Sequence, residues 1–361
     1  MSSNPEIFKK LIKAEAKNLG FCLIGISAPQ ELNHYSKYQN WIQTGKNAGM
    51  TYLASKTALE AKIFPPALFP DCKSIISLAA QFPNPNQYQN ATGTQPTSGI
   101  LASYALGTDY HEILMQQMTL LMTSVIDRTG NEVKWMSAVD TLPMAERELA
   151  VQAGLGWIGK NGMLNTLEYG STVFLSEIML DLALPPDEPQ SKDFCGECNL
   201  CVDACPTHCI LPDRTLDANR CLSYLTIEHR GEIPSAFHEV LGERIFGCDT
   251  CIVVCPWNQK SKSEPRIQAL FPESLTNQLD IKTSLPEIIE HFHRYFQHSA
   301  IRRAGKVGFL RNCLIRLANA QTANADQLMD EIVSRFPHPD IIKYYAVLSN
   351  KDSRDNKKEL E

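Results

Sequence analysis

Two cysteine runs carry the most specific chemistry in this 361-residue chain. The first reads Cys195-Gly-Glu-Cys198-Asn-Leu-Cys201-Val-Asp-Ala-Cys205-Pro206, and the second reads Cys248-Asp-Thr-Cys251-Ile-Val-Val-Cys255-Pro256. The first run has the ferredoxin spacing C-x2-C-x2-C-x3-C-P. Its tight loop aims three thiolates at one iron–sulfur cubane, and the Cys before Pro ligates the neighbouring cubane. By that rule Cys195, Cys198, Cys201 and Cys255 hold one [4Fe-4S] cluster. Cys248, Cys251 and Cys205 supply three ligands of a second cluster. That run lacks its middle thiolate, and Cys221, lying between the runs, is the obvious substitute. Zinc also takes C-x2-C pairs, but it does not call for two interlocked runs that each end in Cys-Pro. Clusters set this close usually pass electrons; the alternative is that they are structural pins.

Composition bounds what can surround these ligands. Twelve cysteines in a long chain, most at cluster spacing, predict a reducing cytoplasm and no disulfide scaffold. Cys22, Cys72, Cys209 and Cys313 remain and read as small buried hydrophobes. Hydrophobic content of 43% and charged content of 20% are ordinary for a globular protein, and the length allows two or three domains. A net charge of -6 gives no global attraction to polyanions, so a nucleic-acid partner needs a local basic patch. The start of the chain has no apolar signal region, and no apolar run is long enough to span a bilayer.

The elements that must position the cysteines follow from periodicity. Asn4-Pro5-Glu6 reads as an N-cap, a Pro at the first helical position and an acidic first turn. Ile7, Phe8, Leu11, Ile12 and Leu19 continue at helical spacing to Gly20. Strands are predicted over 21–27, 74–82, 132–139 and 171–184. Helices are predicted over 30–60 with a loop at 45–49, over 110–130 and over 143–154. Pro83–Gly99, rich in Pro, Asn, Gln and Thr, reads as a loop. After Pro256 helices are predicted over 283–298, 299–320 and 325–336, followed by a polar tail that frays from Ser349 onward.

Four further constellations bear on chemistry. Asp140 sits at the end of a predicted strand, where ligands collect in α/β sheets, although an Asp before a helix also serves as an N-cap. Gly154-Leu-Gly156-Trp-Ile-Gly159 resembles a dinucleotide fingerprint, but it follows a helix and precedes a turn, which excludes a Rossmann reading. Asp109-Tyr-His111 nearly matches a motif that gives histidine to cobalt in some cobalamin proteins. It lacks the Gly and reads as a helix-start Asp with a surface His. Arg302, Arg303, Lys306, Arg311 and Arg316 lie in a stretch with no acidic residue, which is either a solvated face or a phosphate-binding stripe.

These residues fall within blocks that carry a family resemblance. They are Val139-Asp140-Thr-Leu-Pro-Met-Ala-Glu-Arg147, Ala153-Gly-Leu-Gly-Trp-Ile-Gly-Lys-Asn161, Cys221-Leu-Ser-Tyr-Leu-Thr-Ile-Glu228 and Gly247-Cys-Asp-Thr-Cys-Ile-Val-Val-Cys-Pro-Trp-Asn258. In this order they resemble the epoxyqueuosine reductases, cobalamin and iron–sulfur enzymes of tRNA queuosine biosynthesis. The resemblance implies an α+β protein of three parts. Residues 1–184 would form a cobalamin-binding α/β sandwich similar to that of reductive dehalogenases. Residues 185–260 would form the ferredoxin-like double [4Fe-4S] module, and 261–361 a HEAT-like helical tRNA-binding region with a polar tail.

The implied reaction reduces epoxyqueuosine to queuosine at the wobble position of a tRNA with a GUN-type anticodon. Strongly reduced cobalt attacks the epoxide, and Asp140 donates the proton. Asp140 can act as that donor only if burial raises its pKa. The family also implies base-off cobalamin with no protein ligand to cobalt, held by Lys62, Ser103, Asp140, Asn165, Ser176 and Ser223. Lys62 and Ser103 stand where other members commonly have Arg. Arg230, Arg302, Arg303, Lys306 and Arg311 would contact tRNA. A low-potential electron donor, no membrane and a monomeric cytoplasmic enzyme complete the expectation. A small-molecule reductase like the dehalogenases is the alternative enzyme, and a ferredoxin-type electron carrier is the alternative from another class.

Overall fold

The computed structural model describes residues 4–87, 95–273 and 276–349. Helix α1 (Pro5–Asn18) begins where its cap signals put it, with the Asn4 side chain accepting the Glu6 N–H and Phe8, Ile12 and Ala16 turned inward. It leads into β1 (Leu23–Ser27), α2 (Tyr35–Gln43), α3 (Lys56–Ile63), β2 (Ser74–Gln81) and β3 (Ser98–Leu101). Next come α4 (Tyr110–Thr129), β4 (Trp135–Ala138), α5 (Glu146–Gln152), β5 (Trp157–Ile158), β6 (Leu164–Asn165) and β7 (Val173–Leu180).

Four of these strands form one antiparallel sheet in the order β1-β2-β7-β4. Helices α1 and α4 cover one face, packing Phe8, Ile12, Leu114, Met118 and Leu121 against Ile26, Ile76, Leu78 and Ile178. Helix α5 covers the other face through Leu149 and Ala150. A side chain at Gly25 would stand 2.0 Å from the Ala153 carbonyl, so the end of α5 reaches β1 only because that position is glycine. With both faces covered, β2 is buried along its whole length and reads as an almost unbroken small and apolar run. This is the expected α/β sandwich.

The cluster segment supplies short helices α6 (Leu200–Asp203), α7 (Leu222–Ile227) and α8 (His238–Leu241), strand β8 (Arg244–Phe246), and short helices α9 (Thr250–Val253) and α10 (Pro256–Gln259). Strand β9 (Gln278–Asp280) precedes α11 (Ile281–Tyr295), α12 (Gly305–Ala320), α13 (Ala323–Arg335) and α14 (Pro339–Ser349). A second sheet, ordered β8-β3-β9, draws one strand from each of the three expected segments. Leu101, Leu222, Phe246, Phe292, Phe309 and Leu314 likewise share one core. The segments are therefore knitted together at their cores.

Three expectations change. Ser98 and Gly99, read as loop, are strand, because Ile245 packs where a Gly99 side chain would be and the pairing with β8 and β9 is tertiary. Residues 88–94 of that loop lie outside the described residues. The polar tail begins with a real helix, α14, which buries Ile341, Tyr344 and Leu348 at helical spacing; residues 350–361 lie outside the described residues. Finally, α12 is not an amphipathic surface helix. Every residue from Gly308 to Ala318 on it is buried. Among the described residues, no helix is long and apolar enough to cross a membrane.

Candidate active site

Asp140 lies two residues past the end of β4 and is not an N-cap, since α5 starts at Glu146. Its φ is +48°, and the Thr141 N–H folds back to the Val139 carbonyl around it. Such a turn costs a non-glycine residue about 1–3 kcal/mol, so the surroundings must hold it. They do so at both ends. The Asp140 N–H donates to Glu146 Oε1 at 2.6 Å, and Asp140 Oδ2 accepts from the Tyr110 hydroxyl at 2.9 Å. Tyr110 is fixed in turn by stacking on Phe174, with ring centroids 4.3 Å apart and planes 8° from parallel.

His111 completes the group. Its Nδ1 is 2.7 Å from Asp109 Oδ1, and its Nε2 is 3.6 Å from Asp140 Oδ2. Burial lowers its pKa, but the hydrogen bonds and charges of Asp109 and Asp140 outweigh that and hold it at about 9. His111 is thus an imidazolium at neutral pH and not a surface side chain. The reading from the sequence missed it because nothing local shows that the start of α4 meets the end of β4.

The expected rise of the Asp140 pKa is also corrected. The His111 side chain, its Nε2 3.6 Å away, depresses it most, burial opposes this, and the Tyr110 hydrogen bond adds to the depression, so the carboxyl is held below the usual range.

The pairing has a pH signature. The folded pKa of His111, about 9, lies above the ordinary 6.5. Its stabilisation is therefore complete below the unfolded value and is lost as pH rises through the folded one. Thermal denaturation of wild type and His111→Asn is expected to show a wild-type advantage near the lower value that vanishes above the higher. An advantage that does not change with pH would contradict the ion-pair assignment.

The Asp140 side chain is 64% exposed, and the atoms packed around it nonetheless penalise its charge. Lys62 lies within electrostatic reach of Asp140 and Glu146, and its ammonium donates to the Met144 carbonyl. Burial, helped by the charge of Arg147, lowers its pKa to about 8. Burial and the Asp140 charge raise Glu146 to about 7.

The other expected cofactor contacts are dispersed. Ser176, on β7, is 1% exposed, and its hydroxyl has no hydrogen-bond partner. Ser103 is buried, with its N–H on Asp249 Oδ2 beside the second cysteine run. Ser223 is half-buried in the first turn of α7, next to Cys221. Asn165 is 2% exposed, and its Oδ1 lies 3.6 Å from Cys255 Sγ. A polyamide, phosphate-bearing ring such as cobalamin fits a site that offers the Lys62 ammonium beside the exposed Asp140 carboxylate. The partnerless Ser176 hydroxyl beneath the sheet surface fits it too.

Cys195, Cys198, Cys201 and Cys255 lie together. Cys201 has Cys195, Cys255 and Cys198 as its charged neighbours. Cys195, Cys198, Cys201 and Cys255 line a cavity of about 250 Å³ together with Asn165, Trp257 and Lys160. The Trp157 indole N–H lies 3.5 Å from Cys195 Sγ. Cys251 has Cys248, Cys221 and Cys201 within reach, so the two groups adjoin. Cys209 is more than a buried hydrophobe, for its sulfur lies 3.5 Å from Cys205 Sγ and it also contacts Cys221. The glycines of the 154–159 stretch serve this module. At Gly156 and Gly159 a side chain would strike Asn165, and a β5–β6 hairpin follows instead of a helix.

The basic stretch divides. Arg302 and Arg303 are exposed, and Lys306 lies half-buried with its ammonium 4.2 Å from the Phe336 ring centroid. Arg303 grips Glu228 through Nε and Nη2 at 2.5 and 3.1 Å, and exposed Arg230 donates to the Arg303 carbonyl. Arg311 must be withdrawn as an RNA contact. It is 2% exposed, and its guanidinium is used up on the carbonyls of Leu225, His229 and Gly231 and on Asn312. Arg316 is buried likewise, on the Ser98 and Gln95 carbonyls.

Arg311→Leu is therefore expected to destabilise the fold by about 2–4 kcal/mol by leaving the Leu225 and His229 carbonyls unpaired. Arg303→Ala is expected to spare stability and to reduce the salt dependence of RNA binding by about one phosphate contact. Denaturation curves and binding titrations at several salt concentrations check both. Equal effects of the two variants on the salt slope would contradict the division.

Comparison with known proteins agrees with these groupings. Residues 194–258 match the family described as 4Fe-4S double cluster binding domain, and residues 63–141 match that described as Epoxyqueuosine reductase QueG, DUF1730. The chain is 34% identical over 325 residues to the epoxyqueuosine reductase of Aliivibrio fischeri, covering 90% of this chain and 86% of that protein. It is 36% identical over 314 residues to that of Cyclobacterium marinum, covering 86% and 97%. It superposes with a TM-score of 0.85, at 30% identity, on an epoxyqueuosine reductase crystallised with an epoxyqueuosine-modified tRNA-Tyr stem loop, covering 96% of this chain and 90% of that one. A Bacillus subtilis epoxyqueuosine reductase whose catalytic loop is swung out of the active site gives a TM-score of 0.84 at 29% identity.

Proposed function

This chain belongs to the epoxyqueuosine reductase family, and on that premise we propose that the Asp140 recess is where its chemistry takes place. The reaction is the reduction of epoxyqueuosine in tRNA, a step of queuosine biosynthesis. Two electrons and two protons convert the epoxide to a ring alkene and release its oxygen as water. The observation that carries the placement is a carboxylate at a strand end, hydrogen-bonded by Tyr110 and backed by the His111 imidazolium.

Lys62, Asp140 and the partnerless Ser176 hydroxyl would hold cobalamin, with Ser103 and Ser223 on its cluster side. The chemistry cobalamin supplies when bound is a low-potential, nucleophilic cobalt. Asp140 and His111 hold one transferable proton between them. With the recess open it rests on the imidazole, since the Asp140 pKa is depressed and that of His111 is raised. Filling the recess removes water, disfavours the ion pair and moves the proton toward Asp140, which gives it to the departing oxygen, and solvent supplies the second proton of the released water. Asp109 keeps the His111 ring aimed at Asp140 throughout.

The cluster nearer solvent is the one held by Cys195, Cys198, Cys201 and Cys255, since Cys198 is exposed while Cys205 of the other set is buried. A reduced electron-carrier protein would supply the electrons, and Cys205, Cys221, Cys248 and Cys251 would hold the second cluster beside Ser103, whose N–H meets Asp249. Arg230, Arg302, Arg303 and Lys306 contact the phosphates of the tRNA, and α11–α14 form the HEAT-like support beneath them. The enzyme acts as a cytoplasmic monomer on tRNAs with GUN anticodons. Expression in a strain deleted for this activity, followed by nucleoside analysis of its tRNA, tests the reading. Queuosine should replace epoxyqueuosine; persistence of epoxyqueuosine beside folded, iron-loaded protein would overturn it.

A further inference from the structure

Asp140 is held in a backbone conformation that it would not choose, and Glu146 accepts the N–H of that residue. The turn about Asp140 has φ +48° and closes on itself through the Thr141 N–H. Residues other than glycine adopt it only where neighbours impose it. The Asp140 N–H has no place in the strand pairing that ends at Ala138. It donates instead to Glu146 Oε1 at 2.6 Å, a short bond of the charge-assisted kind.

Glu146 is itself well anchored. It is the first residue of α5, whose Leu149 and Ala150 pack on the sheet. The helix start makes no side-chain cap of its own: Ala145 occupies the cap position. The two acidic residues of the first turn instead reach out to incoming chain. Glu148 Oε1 accepts the N–H of Asn33 at 2.5 Å and of His34 at 3.3 Å, tying down the segment before α2. Glu146 does the same for the segment that carries Asp140.

We infer that Glu146 is a positioning residue: its carboxylate clamps the Asp140 turn, so that the Asp140 carboxyl stays directed at Tyr110, His111 and the reacting oxygen. The inference rests on the reading of Asp140 as proton donor. It assigns Glu146 no proton of its own in the reaction. Without the clamp the strained turn relaxes toward ordinary backbone, and the carboxyl leaves its station while the recess, the clusters and the RNA-facing arginines stay in place.

The test compares Glu146→Ala and Glu146→Gln in the full-length, cluster-loaded protein. Turnover is measured on an epoxyqueuosine-modified stem loop, and amide exchange over residues 139–145 is followed by mass spectrometry. Misplacing a catalytic group by about 1 Å costs about 100-fold, so Glu146→Ala is expected to lower kcat about 10- to 100-fold with KM and iron content unchanged. Glutamine still offers an acceptor oxygen, so it should recover most of the loss. Exchange over 139–142 should accelerate in the alanine variant alone.

Unchanged kcat in Glu146→Ala would overturn the inference. So would a loss in Glu146→Gln as large as in Glu146→Ala, which would point to a carboxyl proton and not an acceptor. The exchange measurement does not depend on the substrate reading. Unaltered exchange in Glu146→Ala removes the clamp even if turnover falls, and accelerated exchange supports it even if the substrate proves different.

Discussion

Asp140→Asn is expected to lower turnover of epoxyqueuosine stem loop by about 10²- to 10⁴-fold, the range typical of a lost general acid. Iron content and RNA affinity should stay at the wild-type level. The substitution isolates the proton. Asparagine has nearly the same shape and tolerates positive φ better than most residues, so the turn at +48° can persist. Its side-chain oxygen can still accept from Tyr110, now 2.9 Å away. What it lacks is an acidic proton and the charge that holds His111 up. A second readout follows from that loss: the pKa of His111, held at about 9 partly by Asp140, should fall in the variant. Unchanged turnover would end the donor role; a loss of turnover with no change in His111 would separate the two residues.

Cys221→Ala is expected to remove about half of the iron, roughly four of eight atoms, and to abolish turnover. Cys209→Ala should keep the iron. The structure makes this comparison worthwhile because five sulfurs, not four, crowd the second site. Cys221 is within reach of both Cys205 and Cys251. Cys209 touches Cys205 and Cys221 but is not among the charged neighbours of Cys251. Reaching one cysteine from each run favours Cys221 as the proposed fourth ligand. Iron analysis and the visible spectrum of anaerobically purified variants decide it. Full iron in Cys221→Ala with loss in Cys209→Ala would exchange their roles.

How much of this could be read from the sequence depends on how local the cause was. The cluster ligands were legible because a cubane imposes its spacing on one short loop. Asp140 was legible as the end of a strand. Its electrostatics were not, since the residue that sets them, His111, arrives from another element and is three-dimensionally adjacent only. The polar run before Leu101 hid a strand that exists because β8 and β9 pair with it and Gly99 lets Ile245 in close.

Arg311 and Arg316 show a different failure. Charge alone suggested an RNA face. Yet Phe309, Leu310, Cys313, Leu314, Ile315 and Leu317 place apolar groups on every side of α12, and a helix apolar all round is a buried one. That signal was present and should have outweighed the count of arginines. Asn165 meets Cys255 across the fold, a contact that its own motif does not reveal.

The central claim is that electrons from the clusters and a proton from the Asp140–His111 pair meet in one recess and remove an oxygen from a tRNA nucleoside. Its most direct test is nucleoside mass analysis after anaerobic incubation of the purified protein with an epoxyqueuosine-modified stem loop, cobalamin and a low-potential reductant. The account predicts a product lighter by one oxygen, formed by the wild type and not by Asp140→Asn. An unmodified substrate with fully iron-loaded wild type, or equal product from both proteins, would contradict it.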